Sequence, residues 1–159
     1  MVSVEVLNKV DVFKGLSKEE LGKIARICRE HTFEEGQLCF TEGSKAEDLY
    51  ILQKGKIAIE QELRYSGRRV KAAVTTLGPG RLFSWSALVE PHILTASASC
   101  EEKAEVIAIK GADLLDLFEK DNHIGYVVMK NLAAVIGSRL TRTRQRLVLE
   151  LERAAPRER

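Results

Sequence analysis

Phe83-Ser84-Trp85-Ser86-Ala87-Leu88-Val89-Glu90-Pro91-His92-Ile93-Leu94-Thr95-Ala96-Ser97-Ala98 is the stretch on which the reading of this chain turns. It follows Leu77-Gly78-Pro79-Gly80-Arg81-Leu82, where two glycines and a proline mark a tight turn within a β-rich region. A tight turn that feeds a short helical start exposes unpaired backbone N–H groups, and such groups make an anion site.

Outward from it, the chain between His31 and Ile109 reads as short strands separated by glycine turns. The strands are His31–Phe33, Leu38–Phe40, Asp48–Gln53, Lys56–Arg64, Val70–Leu77, Ala96–Glu101 and Ala104–Ile109. Gly36, Gly43, Gly55, Gly67 and the Gly78-Pro79-Gly80 group punctuate them. The even spacing predicts a β-sandwich or barrel, and by itself leaves a jelly roll and a Greek-key sandwich unresolved. Upstream, Ser17-Lys18-Glu19-Glu20 is a capping box with Ser17 as N-cap, and Leu21, Ile24, Ala25 and Cys28 predict a helix to about Arg29. Downstream, Ala112–Phe118 predicts a short helix, Asp121-Asn122 breaks it, and a long helical pattern starts at Ile124. Within that pattern Ala133, Ile136, Leu140, Thr143 and Leu147 recur at the spacing of a coiled-coil seam. The tail Ala154–Arg159 is expected to fray.

The cassette resembles that of the cyclic nucleotide-binding domain family, roughly Phe-Gly-Glu-x-Ala-Leu, a short loop, then Pro-Arg-x-Ala. Phe83, Ala87, Leu88 and Ala96 match it, whereas Ser84 replaces the glycine, Trp85 the glutamate and Leu94 the arginine. Phe13, Leu16, Gly36 with Leu38 and Phe40, Glu42-Gly43, Leu49–Leu52, Gly55-Lys56-Ile57 and Gly78-Pro79-Gly80 extend the resemblance over nearly the whole chain. It implies a mainly β fold with flanking helices: a double-stranded β-helix (jelly-roll) barrel with an N-terminal helix and a long C-terminal helix. The implied division is a β-roll over 1–122, a dimerisation helix over 123–153 and a frayed tail over 154–159.

In the family that this resembles, the glutamate holds a ribose hydroxyl and the arginine pairs the cyclic phosphate. Trp85 offers one indole N–H and Leu94 nothing polar. Losing a charged hydrogen-bond partner in a buried site costs about 2–5 kcal/mol. The expected ligand is therefore an unidentified small molecule, anionic or nucleotide-like, rather than cAMP or cGMP held in the usual way. Phe83, Ser84, Trp85, Ser86, Ala87, Leu94, Thr95 and Ala96 are the candidate ligand residues, with Trp85 as a wall and Ser84, Ser86 and Thr95 as polar anchors. Thr143 joins them because it matches the position that meets the base in some family members. Two other readings stay open: Trp85 and Leu94 fill the hole of a ligand-free interaction module, or weak nucleotide binding persists through backbone amides. The run Arg139–Arg146 reads as a solvated helix face.

The 159 residues are a single-domain length, and 45% hydrophobic content can form a proper core. No apolar run is long enough to span a membrane and no signal peptide opens the chain, so a cytoplasmic protein is expected. Cys28, Cys39 and Cys100 read as reduced, buried small hydrophobes. His31, His92 and His123 share no metal-like spacing, and no nucleophile elbow or phosphate loop occurs, so neither an enzyme nor a bound cofactor or metal is expected. His92 falls in the cassette loop, where it reads as a surface residue. A homodimer through the long helix is expected, as in dimeric members of the family. Few residues follow Leu151, so sequence-specific DNA binding is not expected. The function that follows is a small-molecule sensor, with a ligand-free module or a regulatory subunit of a separate enzyme or transporter as the alternative.

Overall fold

The computed structural model describes residues 1–157; Glu158 and Arg159, the end of the expected frayed tail, lie outside the described residues. The N-terminal segment folds as α1 (Val4–Leu7), a 3-10 turn at Asp11–Phe13 and α2 (Lys18–Ala25). The capping box forms as expected: the Ser17 hydroxyl accepts from the Glu20 amide, and the Ser17 amide donates to the Glu20 carboxylate at 3.0 Å. The helix stops at Ala25, short of the expected Arg29, because Cys28 already opens a strand.

Six strands follow: β1 (Cys28–Phe33), β2 (Leu38–Phe40), β3 (Asp48–Tyr65), β4 (Arg68–Leu77), β5 (Leu82–Phe83) and β6 (Ser97–Lys110). The sheet order is β1-β6-β3-β4, with β2 on β6 and β5 on β3, and every pairing is antiparallel. This is the jelly roll that the cassette implied, mainly β with flanking helices. Two expected strand pairs are corrected. Asp48–Gln53 and Lys56–Arg64 form the single strand β3, and Ala96–Glu101 and Ala104–Ile109 form β6. Gly55 marks a bend, not a reversal: its φ is +99°, the register shifts on either side of it, and a Cβ there would sit 2.3 Å from the Lys103 carbonyl oxygen. Only glycine fits such an approach.

Alternation along β3 sorts its residues between two cores. Leu49 and Ile51 join Leu7, Phe13, Leu21, Ile24, Ile107 and Ile109 under the helices, whereas Tyr50 and Leu52 face Phe33, Phe83, Cys100 and Val106 inside the roll. The cysteines are free; Cys100 is buried, but Cys28 and Cys39 are only half-buried. Burial still pushes both of those thiols up to about 12, which keeps them protonated and unreactive.

Two helices close the chain, α3 (Gly111–Lys120) and α4 (Asn122–Ala154). The expected break is the N-cap of α4, with the Asp121 carboxylate accepting from the Ile124 amide. Ile124, Val128 and Leu132 enter the lower core, and the Asn131 amide donates to the Val12 and Lys14 carbonyls at 2.9 Å each. Lys23 bonds Asp121 at 2.9 Å and His123 bonds Glu20 at 2.5 Å, so the base of α4 is fixed to α2. Beyond Ile136 the helix leaves the core and passes across the open side of the roll, exposing Leu140, Leu147, Val148, Leu149 and Leu151. Among the described residues, no helix is long and apolar enough to cross a membrane.

Candidate functional site

The roll and α4 enclose a cavity of about 780 Å³. Its floor is aromatic: Phe40 and Phe83 line it, and Tyr50 stacks on Phe83 from below with ring centroids 5.2 Å apart. Ile59 and Gln61 of β3 and Val74 to Leu77 of β4 form one side. The cassette forms another, and α4 closes the cavity with Ala134, Val135, Ser138, Arg139, Arg142, Thr143 and Arg146.

The cassette is built by a sharp reversal after β5. Leu82 and Phe83 pair with Ile51 and Tyr50, then Ser84 turns with φ +63° and ψ +39°. That is the left-handed region, where a non-glycine residue costs roughly 1–2 kcal/mol, and Ser84 stands where the resemblance has glycine. A 3-10 turn follows at Trp85–Ala87. The Ala87 amide is already bonded to the Ser84 carbonyl at 3.1 Å, whereas the Trp85 and Ser86 amides have no partner among the described residues. Behind this turn the Ala87 carbonyl abuts Gly111, where a Cβ would approach it to 2.3 Å.

His92 braces the loop, its Nδ1–H donating to the Ser86 carbonyl oxygen at 2.8 Å. The strand-like segment after it is pinned from the other side: Leu94 donates to the Ser44 carbonyl and Gly43 to the Leu94 carbonyl, each at 2.8 Å. Gln61 reaches across to the Thr95 carbonyl at 2.7 Å.

The structure brings eight of the nine candidate residues to the lining of one cavity: Phe83, Ser84, Trp85, Ser86, Leu94, Thr95, Ala96 and Thr143. Ala87 is buried behind them against Gly111. Trp85 is half-buried and Leu94 is 5% exposed, so both present apolar surface to the cavity where the resemblance has charged groups. Thr143 lies on the helix wall with its hydroxyl donating to the Arg139 carbonyl at 2.9 Å.

The reading of Arg139–Arg146 as a solvated face needs correcting in part: Arg142, Arg144 and Arg146 are exposed, but Arg139 is half-buried. Arg139, Arg142 and Arg146 line the cavity, joined by Arg81 from the turn before β5, while Arg144 points elsewhere. Arg139 is half-buried and donates to the Leu82 carbonyl oxygen at 2.6 Å; Arg146 donates to the Val74 carbonyl oxygen. Burial, with the neighbouring Arg81 and Arg142 cations, holds the Arg139 guanidinium below its ordinary range. The signal for this placement is the spacing, since residues 139, 142 and 146 share one helix face with Val135 and Ser138. Among the described residues, no cluster of His, Cys, Asp and Glu could hold a metal ion.

Comparison with known proteins agrees with this architecture. The cyclic nucleotide-binding domain family matches residues 30–121. A cyclic AMP receptor protein of Thermus thermophilus is 29% identical over 129 residues, 81% of this chain and 56% of that protein. The chain therefore spans little more than half of that relative. A cyclic nucleotide-binding-type protein of Geobacter metallireducens superposes with a TM-score of 0.76 at 34% identity, over 88% of this chain and 99% of its own. A cyclic nucleotide-binding domain from Methylobacillus flagellatus shares the fold, with a TM-score of 0.80 at 16% identity, over 98% of this chain and 83% of its own. From the jelly roll, the cassette cavity and these matches together, the chain belongs to the cyclic nucleotide-binding domain family.

Proposed function

We propose that this chain is a small-molecule-sensing regulatory domain whose ligand occupies the cavity between the roll and α4, and which does not grip cAMP or cGMP in the usual way. One observation carries the reading. The cavity is open and large enough for a small-molecule ligand, yet its cassette wall presents Trp85 and Leu94 where a ribose hydroxyl and a cyclic phosphate need charged partners. The open volume favours a ligand-binding domain over a module whose hole is filled by its own side chains.

The signal would pass through α4. Its first turns are locked into the lower core and its middle forms a cavity wall, so occupancy biases where the rest of the helix lies. Two copies pair through the exposed stripe of Leu140, Leu147 and Leu151, which lies beside the cavity face of the helix and meets it at Thr143. The output is a protein partner, and the setting is cytoplasmic.

Trp85 is the sole tryptophan and stands in the cavity wall, so its emission reports occupancy directly. A thermal-shift and fluorescence screen of nucleotides and anionic metabolites should find compounds that both stabilise the protein and change Trp85 emission. Stabilisers that leave the emission unchanged, or a full screen without any response, would count against a ligand-sensing role.

A further inference from the structure

The cavity carries four guanidinium groups and no carboxylate. Among the described residues, no Asp or Glu lies within ion-pair distance of Arg81, Arg139, Arg142 or Arg146, although nine such pairs form elsewhere. Arg139 and Arg146 each donate to a single backbone carbonyl, which leaves most of each planar fork unused. The guanidinium groups of Arg81 and Arg142 have no hydrogen-bond partner among the described residues. Arg139 is half-buried and the other three are exposed at the cavity rim, so four like charges stand close together with no protein carboxylate to balance them, an arrangement that an anion would complete. Across the cavity, the floor and cassette present Phe40, Phe83, Trp85 and Leu94 as apolar surface, with Ser84, Ser86 and Thr95 set among them. The lining thus places three of its four arginines on α4 and its aromatic surface on the roll.

We infer that the ligand is an amphiphilic anion, a carboxylate or phosphomonoester joined to an apolar body, with its charged group held by Arg142, Arg139, Arg146 and Arg81. Its apolar body lies against Trp85 and Leu94. This rests on the reading of the cavity as a ligand site and moves the ionic grip from the cassette to the terminal helix. Guanidinium forks suit both headgroups, since each accepts two parallel N–H bonds. The ligand then supplies the counter-charge to these arginines, which ties the helix to the roll.

Octanoate, phenyl phosphate, octanamide and cyclic AMP distinguish the possibilities, with Trp85 emission and thermal shift as readouts. Octanoate or phenyl phosphate should bind, more weakly as salt rises, while the neutral octanamide at equal concentration should not. Arg142→Gln, at an exposed side chain without a structural bond, should weaken anion binding about tenfold or more. Arg144→Gln, on the same helix but outside the cavity, should leave it unchanged. Equal binding of octanamide and octanoate, anion binding indifferent to Arg142→Gln, or no binding of either anion would overturn the inference. A response to cyclic AMP that survives Arg142→Gln would overturn it too, while leaving the cavity standing as a ligand site.

Discussion

The Arg139 guanidinium donates to the carbonyl oxygen of Leu82 at 2.6 Å, a bond between residues 57 positions apart that fastens α4 to the strand leading into the cassette. Hydrogen bonds from charged donors contribute about 1.5–3 kcal/mol. Arg139→Met keeps much of the stem and removes the donor. It should lower stability by about 1–3 kcal/mol and speed amide exchange in α4 beyond Ser138, with α2 and the base of α4 unchanged. Unaltered exchange in that half of the helix would show that the bond does not hold it.

Gly111 and Gly22 make a matched pair of opposite sign. A Cβ at Gly111 would meet the Ala87 carbonyl oxygen at 2.3 Å, backbone against backbone, whereas one at Gly22 meets nothing within 4 Å. Gly111→Ala should destabilise by about 1–3 kcal/mol and shift Trp85 emission, because the strain falls on the cassette turn. Gly22→Ala, inside α2, should stabilise by about 0.5–1 kcal/mol. Denaturant midpoints at constant slope measure both.

His123 and Glu20 join α4 to α2 in a pH-dependent way. The hydrogen bond to Glu20, then the charge of Glu20, raises His123 above its ordinary value of 6.5; the same bond lowers Glu20 below 4.5. The raised histidine stabilises the fold fully below the unfolded value and loses that effect as pH rises through the folded one. The lowered carboxylate stabilises above its unfolded value and loses it as pH falls through its folded one. The melting-temperature gap between the protein and His123→Gln should therefore peak at about pH 5–6 and shrink by about pH 9. A gap that grows with alkaline pH would refute the pairing.

Pairing through α4 is tested by mass in solution. Leu140 is 48% and Leu147 57% exposed, so glutamate at both should leave the fold intact and convert a dimer to a monomer in light scattering. Ile136 is less suitable, because it packs against the lower core and a charge there would report on folding. A parent protein that is already monomeric removes the claim.

Much of the roll is legible in the sequence because its corners are chemically marked. Ser17 with Glu20, Asp121 at the head of α4, and glycines at positive φ such as Gly36, Gly43 and Gly67 each fix a local conformation that tertiary packing then keeps. Gly55 misleads because a glycine bend and a glycine reversal share one sequence signal, and only the approach of Lys103 separates them. The two-residue strand β5 is too short to show a period. In the cavity, Trp85 and Leu94 can be read from the sequence because the cassette is contiguous. The arginines can be read only in part, because helix periodicity shows that residues 139, 142 and 146 share a face and not what lies opposite it. That surface is β4 and β5, more than fifty residues away in the chain.

Calorimetric titration of the intact protein with cyclic AMP tests the central claim most directly. Replacing two charged partners at about 2–5 kcal/mol each implies an affinity lower by roughly a thousandfold or more, so no saturable heat should appear at micromolar ligand. Saturation at micromolar cyclic AMP, with Trp85 emission changing in step, would contradict the account.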